Sequence, residues 1–233
     1  MKQLTLFAIW LALSAQAWAA PPTSIKASYQ VFSRGIQIGV IDETYQRDGN
    51  HYTLTSTTTP VGLLALFKPQ KVLMRSNGLV EKHGLRPLHF DSRREGDPSK
   101  DVSAEFDWTA RQLTLTNAAL RSRIELPEGT QDRLSAMYQF FFLTLKTGGT
   151  VEFPMTNGSK LDVYRYVIGS RKNLDSPAGQ LDTLYLDNQG KAGENRTELW
   201  LSARHYNLPG KMVITDAHGD QFTQVLSSVT RAP

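Results

Sequence analysis

None of the 233 residues is a cysteine, which removes thiol nucleophiles, thiolate metal sites, disulfide staples and a lipid anchor on an N-terminal cysteine together. A chain of this length buries enough apolar surface to hold a core by packing alone. The formal charge of +4 is thinly spread: the densest basic stretches, SRREGDPSKD and LRSRIEL, are broken by acids or apolar residues and lack interleaved aromatics, so they read as solvated strand faces and no nucleic-acid partner is expected.

The first predicted element is a leader. MKQLTLFAIWLALSAQAWAA carries one positive charge, Lys2, an apolar run from Leu4 to Leu13, and small residues Ala17 and Ala19 around Trp18. That is the pattern of a secretory signal peptide cleaved after Ala19. Residues 1–19 are expected to be removed, and the mature chain, 20–233, is expected in the periplasm. Losing Lys2 leaves 25 basic against 22 acidic residues and a charge of +3. No other segment approaches the roughly 18 to 20 consecutive apolar residues of a membrane helix, so no membrane span is expected.

Period-two alternation then recurs between turn signals. SIKASYQVF, IQIGVIDETYQ and HYTLTSTTT, joined by SRG and RDGN, predict a three-stranded meander. PVGLLALF interrupts it: Pro60 suits the start of a helical turn, and the apolar content suits a piece packed on the sheet or a movable flap. Strands resume at KVLMRSNGLVEK, LRPLHFDSRRE, DVSAEFDW, RQLTLTN and RSRIELP, with SNG, HG, GDPS and TA as the turns. No fixed-period repeat and no Pro/Gly/Ser-rich linker divides the chain, so a single β-rich domain over 20–233 is expected.

QDRLSAMYQFFFLTL reads as a helix over 132–146, with Thr130 or Asp132 as N-cap and Gly148-Gly149 as its stop. Leu134, Met137, Tyr138, Phe141, Phe142 and Leu145 share one face, whereas Phe140 and Leu143 point the other way. A helix apolar on both sides has to be covered on both sides. Strands return at TVEFPMTNG, SKLDVYRYVIGS, GQLDTLYLDN, NRTELWLSA, GKMVITDAHG and DQFTQVLSSV. This order predicts a mainly β fold: a curled antiparallel sheet or incomplete β-barrel wrapped around one central α-helix. In TELWLSARHYNLPGKMVIT, Leu199 and Leu201 alternate against Trp200, ARHYNLPG is a connection with Asn207 and Pro209 as turn residues, and HGD around Gly219 closes the next hairpin.

FDW in mid-chain, GTQDRLSAMYQF at the helix and ELWLSARHYNLPGKMVITDAHGDQFTQVLSS at the C-terminal end together resemble the bacterial envelope family termed domain of unknown function 3108. The resemblance covers most of the chain after the leader. It implies a fold similar to the periplasmic lipoprotein carriers and receptors, half-barrels that hold acyl chains under helical lids, and it brings no catalytic residue. Gly210, where a β-branched residue is usual in that pattern, leaves the start of its strand open.

Motifs for catalysis are missing: no G-x-S-x-G, H-E-x-x-H, S-x-x-K, P-loop or G-x-G-x-x-G occurs in a supporting context. His83, His89, Asp91 and Asp97 are the best metal candidates, but turn and strand-face roles account for them more simply. Ser202 and His205 lack a third partner. The carboxylates, Glu43, Glu105 and Glu125 among them, show no spacing that singles out an acid and a nucleophile. No catalytic, metal or cofactor site is therefore expected.

The expected function is a non-catalytic periplasmic binding or envelope-assembly factor holding an apolar or amphipathic, lipid-like ligand in the half-barrel. Leu63, Leu66 and Phe67 of the flap, Phe140 and Leu143 of the helix, and Trp200 are the expected ligand contacts. A structural protein docking an envelope partner through a sheet edge is the alternative, and an envelope-polymer hydrolase the third reading.

Overall fold

The computed structural model describes residues 22–118, 120–191 and 193–232; the expected leader, 1–19, lies outside the described residues. Among the described residues fifteen strands form one continuous sheet. Strands β1 (Ser24–Ser33) through β8 (Leu120–Glu125) each pair antiparallel with the next. The second half, β10 (Thr150–Thr156) through β15 (Gln221–Ala232), does the same. The halves are joined by β1 against β15, with Ser24 opposite Ala232. At the far end, the two-residue β9 (Gln131–Asp132) lies parallel to β10. The order runs from β8 at one edge to β9 at the other, an open curled sheet and not a closed barrel.

Alternating burial along the strands gives the sheet its inner face. Two clusters fill it. Ile25, Tyr29, Tyr45, Leu54, Phe90 and Leu113 belong to one; Phe153, Tyr166, Ile168, Leu186, Leu199 and Leu201 to the other.

The helix expected over 132–146 is a shorter element. An α-helix, α2 (Ser135–Gln139), runs into a 3₁₀ turn at Phe140–Phe142, eight residues in all. Residues 131–132 are drawn into pairing with Met155 and Thr156. The carboxylate of Asp132 then accepts the N–H groups of Leu134 (2.9 Å) and Ser135 (2.8 Å), which opens the helix after it. Leu143 is already extended (φ −97°, ψ 136°). At the end of α2 the Phe140 carbonyl has a partner from elsewhere: the side-chain amide of Asn207 donates to it at 3.1 Å. The sheet curls as expected, but the central helix it was expected to wrap is reduced to this segment.

Two glutamines tie the segment to β5 (Gly84–Arg94). The Gln139 amide accepts the Leu85 N–H at 2.7 Å and donates to the His83 carbonyl at 3.1 Å, while Gln131 donates to the Leu85 carbonyl at 2.9 Å. Gly84 permits this approach. Its φ is +136°, and a Cβ there would stand 2.2 Å from the Gln139 amide.

Two turns read from the sequence are corrected. SNG is no turn: Asn77 and Gly78 lie inside β4 (Val72–Glu81) at an irregularity in its pairing with β5. A Cβ at Gly78 would be 2.2 Å from the Arg86 carbonyl, so the glycine serves a close strand crossing. Pro209 is likewise inside β14 (Leu208–Thr215), and the turn is made by Tyr206 and Asn207, both left-handed (φ 57° and 62°). Gly210 is strand too, beneath Leu181, whose Cδ1 would stand 2.8 Å from a Cβ.

Candidate functional site

The six expected ligand contacts are not brought together. Leu63, Leu66 and Phe67 stand on α1 (Gly62–Phe67), 72%, 76% and 80% exposed, beside β2 (Ile36–Asp48). Phe140 is fully buried, edge-on to Phe153 and Tyr166 at 6.1 and 6.3 Å. Leu143 is half-buried against the same cluster. Trp200 lies on the outer face: it pairs across the sheet with Tyr185 (ring centroids 5.0 Å) and under the Lys211 ammonium (4.8 Å). This is a cross-strand ladder of aromatics and cations, with Lys172 over Tyr185 at 3.7 Å. It explains a tryptophan that turns away from the core occupied by Leu199 and Leu201.

The other candidates also resolve into structure. His89 sits between Glu105 (2.7 Å) and Asp91 (3.2 Å) on the strand face, while the His83 carbonyl serves Gln139. Among the described residues no three His, Asp or Glu converge as a metal site. Ser202 and His205 do meet, Oγ to Nδ1 at 3.1 Å, but Ser202 is fully buried and its carbonyl accepts the Asn207 N–H. The pair shapes the turn before β14.

Sequence reasoning missed the concavity that the second half of the sheet leaves at one end. Here β10 ends, β11 (Leu161–Ser176) begins, β13 (Arg196–Ser202) begins and β14 ends. The cleft between them measures about 510 Å³, within the range of small-molecule sites. Its walls include inner-face residues in register, Met155 opposite Asp162 and Thr197 opposite Ile214, and Met212, whose partner is the core residue Leu199. Met137 of α2 and the buried Tyr166 also line it. Three methionines, Met137, Met155 and Met212, thus face one space with Ile214 and Tyr164. Unbranched thioether side chains adapt to an irregular apolar guest.

Arg133 enters the same cleft from the two-residue link between β9 and α2. Its backbone N–H is fixed to the Thr156 carbonyl at 2.9 Å, which aims the side chain. Its side chain lines the cleft and is exposed to solvent there, and desolvation by the protein around it lowers its pKa from the ordinary value against the opposing pull of Tyr164 and Asp132. The other cations at the cleft have acidic partners: Lys160 pairs with Asp162 at 2.6 Å, and Arg165 approaches Glu152 at 4.0 Å. Arg133 makes no side-chain hydrogen bond or ion pair among the described residues. In the sequence it is one polar residue on a helix face; only its position after a strand of two residues places it on the cleft wall.

A family model described as Protein of unknown function (DUF3108) matches residues 28–227. No curated protein matches the chain. Among solved structures, the beta-barrel-like protein of domain of unknown function DUF1849 from Brucella abortus is similar over 91% of this chain and 98% of its own, with a TM-score of 0.57 at 10% identity. A candidate lipoprotein from Parabacteroides distasonis is similar over 90% and 97%, with a TM-score of 0.43 at 9% identity. The first of these likenesses supports the barrel-like architecture alone.

Proposed function

We propose, for a chain that belongs to the DUF3108 family of proteins of unknown function, that it is an exported, non-catalytic binding protein for an apolar or amphipathic, lipid-like ligand. The site is the cleft at the open end of β10, β11, β13 and β14. One observation carries the reading: the cleft of about 510 Å³ has Met155, Met212 and Ile214 on inner-face positions of the sheet, with Met137 of α2 facing the same space. Burying a tail there stabilises the complex by about 25 cal/mol per Å² of apolar surface, and the polar groups at its rim, Asn157 and Asn195, give orientation. Export rests on the leader motif. Among the described residues no helix is long and apolar enough to cross a membrane.

Native mass spectrometry of the protein purified from its own envelope tests this. A population heavier than the mature chain by a lipid-sized mass, lost in Met155→Trp, is the expected result. Apoprotein mass alone, with no uptake of an apolar reporter dye, would rule the reading out.

The exposed edge strand β8 favours a second reading, docking of an envelope partner. Leu120 and Ile124 are 78% and 37% exposed there. Arg121, Arg123 and Glu125 alternate with them, however, and charges along an edge discourage strand addition.

A further inference from the structure

We infer that Arg133 is the anchor for a single anionic head on the ligand, so that the cleft selects acidic amphiphiles, carboxylate or phosphate, over neutral ones. The inference rests on the binding reading above and adds the ligand's charge to it. The three cations on the cleft wall, Arg133, Lys160 and Arg165, differ in whether the protein itself supplies a carboxylate. Here Lys160 has Asp162 and Arg165 has Glu152, while Arg133 has neither a hydrogen bond nor an ion pair among the described residues. The nearest acid by sequence, Asp132, is occupied: its two carboxylate oxygens accept from Leu134, Ser135 and the Ser76 hydroxyl (2.6 Å). A planar guanidinium inside a cleft is a bidentate receptor for a carboxylate or phosphate head. Met137, one helical turn beyond Arg133, with Met155 and Met212 supplies the apolar surface for the tail attached to it.

Titration calorimetry on the mature protein separates the possibilities. The probes are dodecanoate, dodecyl phosphate, dodecanol, inorganic phosphate and acetate, each on wild type, Arg133→Met and Arg133→Lys. Wild type should bind the two acidic amphiphiles about tenfold or more tighter than dodecanol, and neither free anion measurably. Arg133→Met should bring the acidic amphiphiles down to the affinity of dodecanol, with dodecanol unchanged, and Arg133→Lys should restore part of the difference. The preferred head, carboxylate or phosphate, is read from the first two probes. Equal binding of dodecanol and dodecanoate, unchanged by Arg133→Met, would overturn the anchor while leaving the binding reading intact. Inorganic phosphate bound as tightly as dodecyl phosphate would assign the site to a free anion and overturn the amphiphile. Silence from every probe would sink the binding reading itself. Thermal melting of Arg133→Met guards the comparison; removing an unpaired charge should not lower its Tm.

Discussion

Glu43 carries a consequence for pH. It lies on the inner face of β2, where its carboxylate accepts the Tyr138 hydroxyl at 3.1 Å and the Ser56 hydroxyl at 3.5 Å. Burial pushes its pKa from 4.5 up to about 7, against the two hydrogen bonds that pull it down. The folded state therefore holds the proton more tightly than the unfolded chain. Its stabilisation is complete below about pH 4.5 and is lost as the pH rises through 7, a difference on the order of 3 kcal/mol. Urea unfolding at pH 5 and pH 8 should show Glu43→Gln losing less stability across that interval than wild type; equal losses would show the carboxyl ionised throughout. Neither Glu43 nor Arg133 was legible as special in the sequence. A carboxylate between Ile41 and Tyr45 on one strand face reads the same whether that face is wet or walled in, and only the curl of the sheet decides which.

Two elements of similar composition behave oppositely. The α1 segment GLLALF has no buried residue, whereas α2 and its 3₁₀ turn bury Ala136, Tyr138 and Phe140. In chemical denaturation Leu66→Ser should fall within about 0.5 kcal/mol of wild type, while Phe140→Ala should cost about 3 to 5 kcal/mol. A large loss at Leu66 would mean that α1 is held down on the sheet, and a small one at Phe140 that its cluster is not core. Both segments were visible as apolar interruptions, and the opposed directions of Tyr138 and Phe140 follow from helical spacing: Leu134 and Tyr138 enter one cluster, Ala136 and Phe140 the other. Periodicity overstated the length, because Leu143 and Leu145 continue the apolar pattern beyond the helix, Leu143 already on extended backbone. It also split β4 at Asn77-Gly78, since a glycine placed for a close strand crossing looks like a turn signal.

At the scale of the molecule, strand alternation and short turns made the antiparallel neighbours legible, because hairpins are local. What no local pattern encodes is the junction of β1 with β15 or the step from β8 to β9, and these decide that the sheet curls and that strand ends far apart in sequence meet at the cleft. The spatial order β9 to β15 followed by β1 to β8 is the chain order cut once and rejoined. Ser24 and Ala232 stand opposite each other, and Glu128 and Gly129 are exposed in the link between the two edges. Joining Ala232 to Ser24 by a short turn and opening the chain at Glu128–Gly129 would therefore give a circular permutant in which every strand pairs only with its sequence neighbours. Its one distant strand pairing made local, such a permutant should keep the native circular dichroism spectrum and refold faster than the parent, because the sequence separation of strand pairs sets the rate. Equal refolding rates in stopped flow would mean that β1–β15 pairing is not the slow step. The fold is thus a ring in sequence space, and the natural chain opens that ring in the middle of its own sheet.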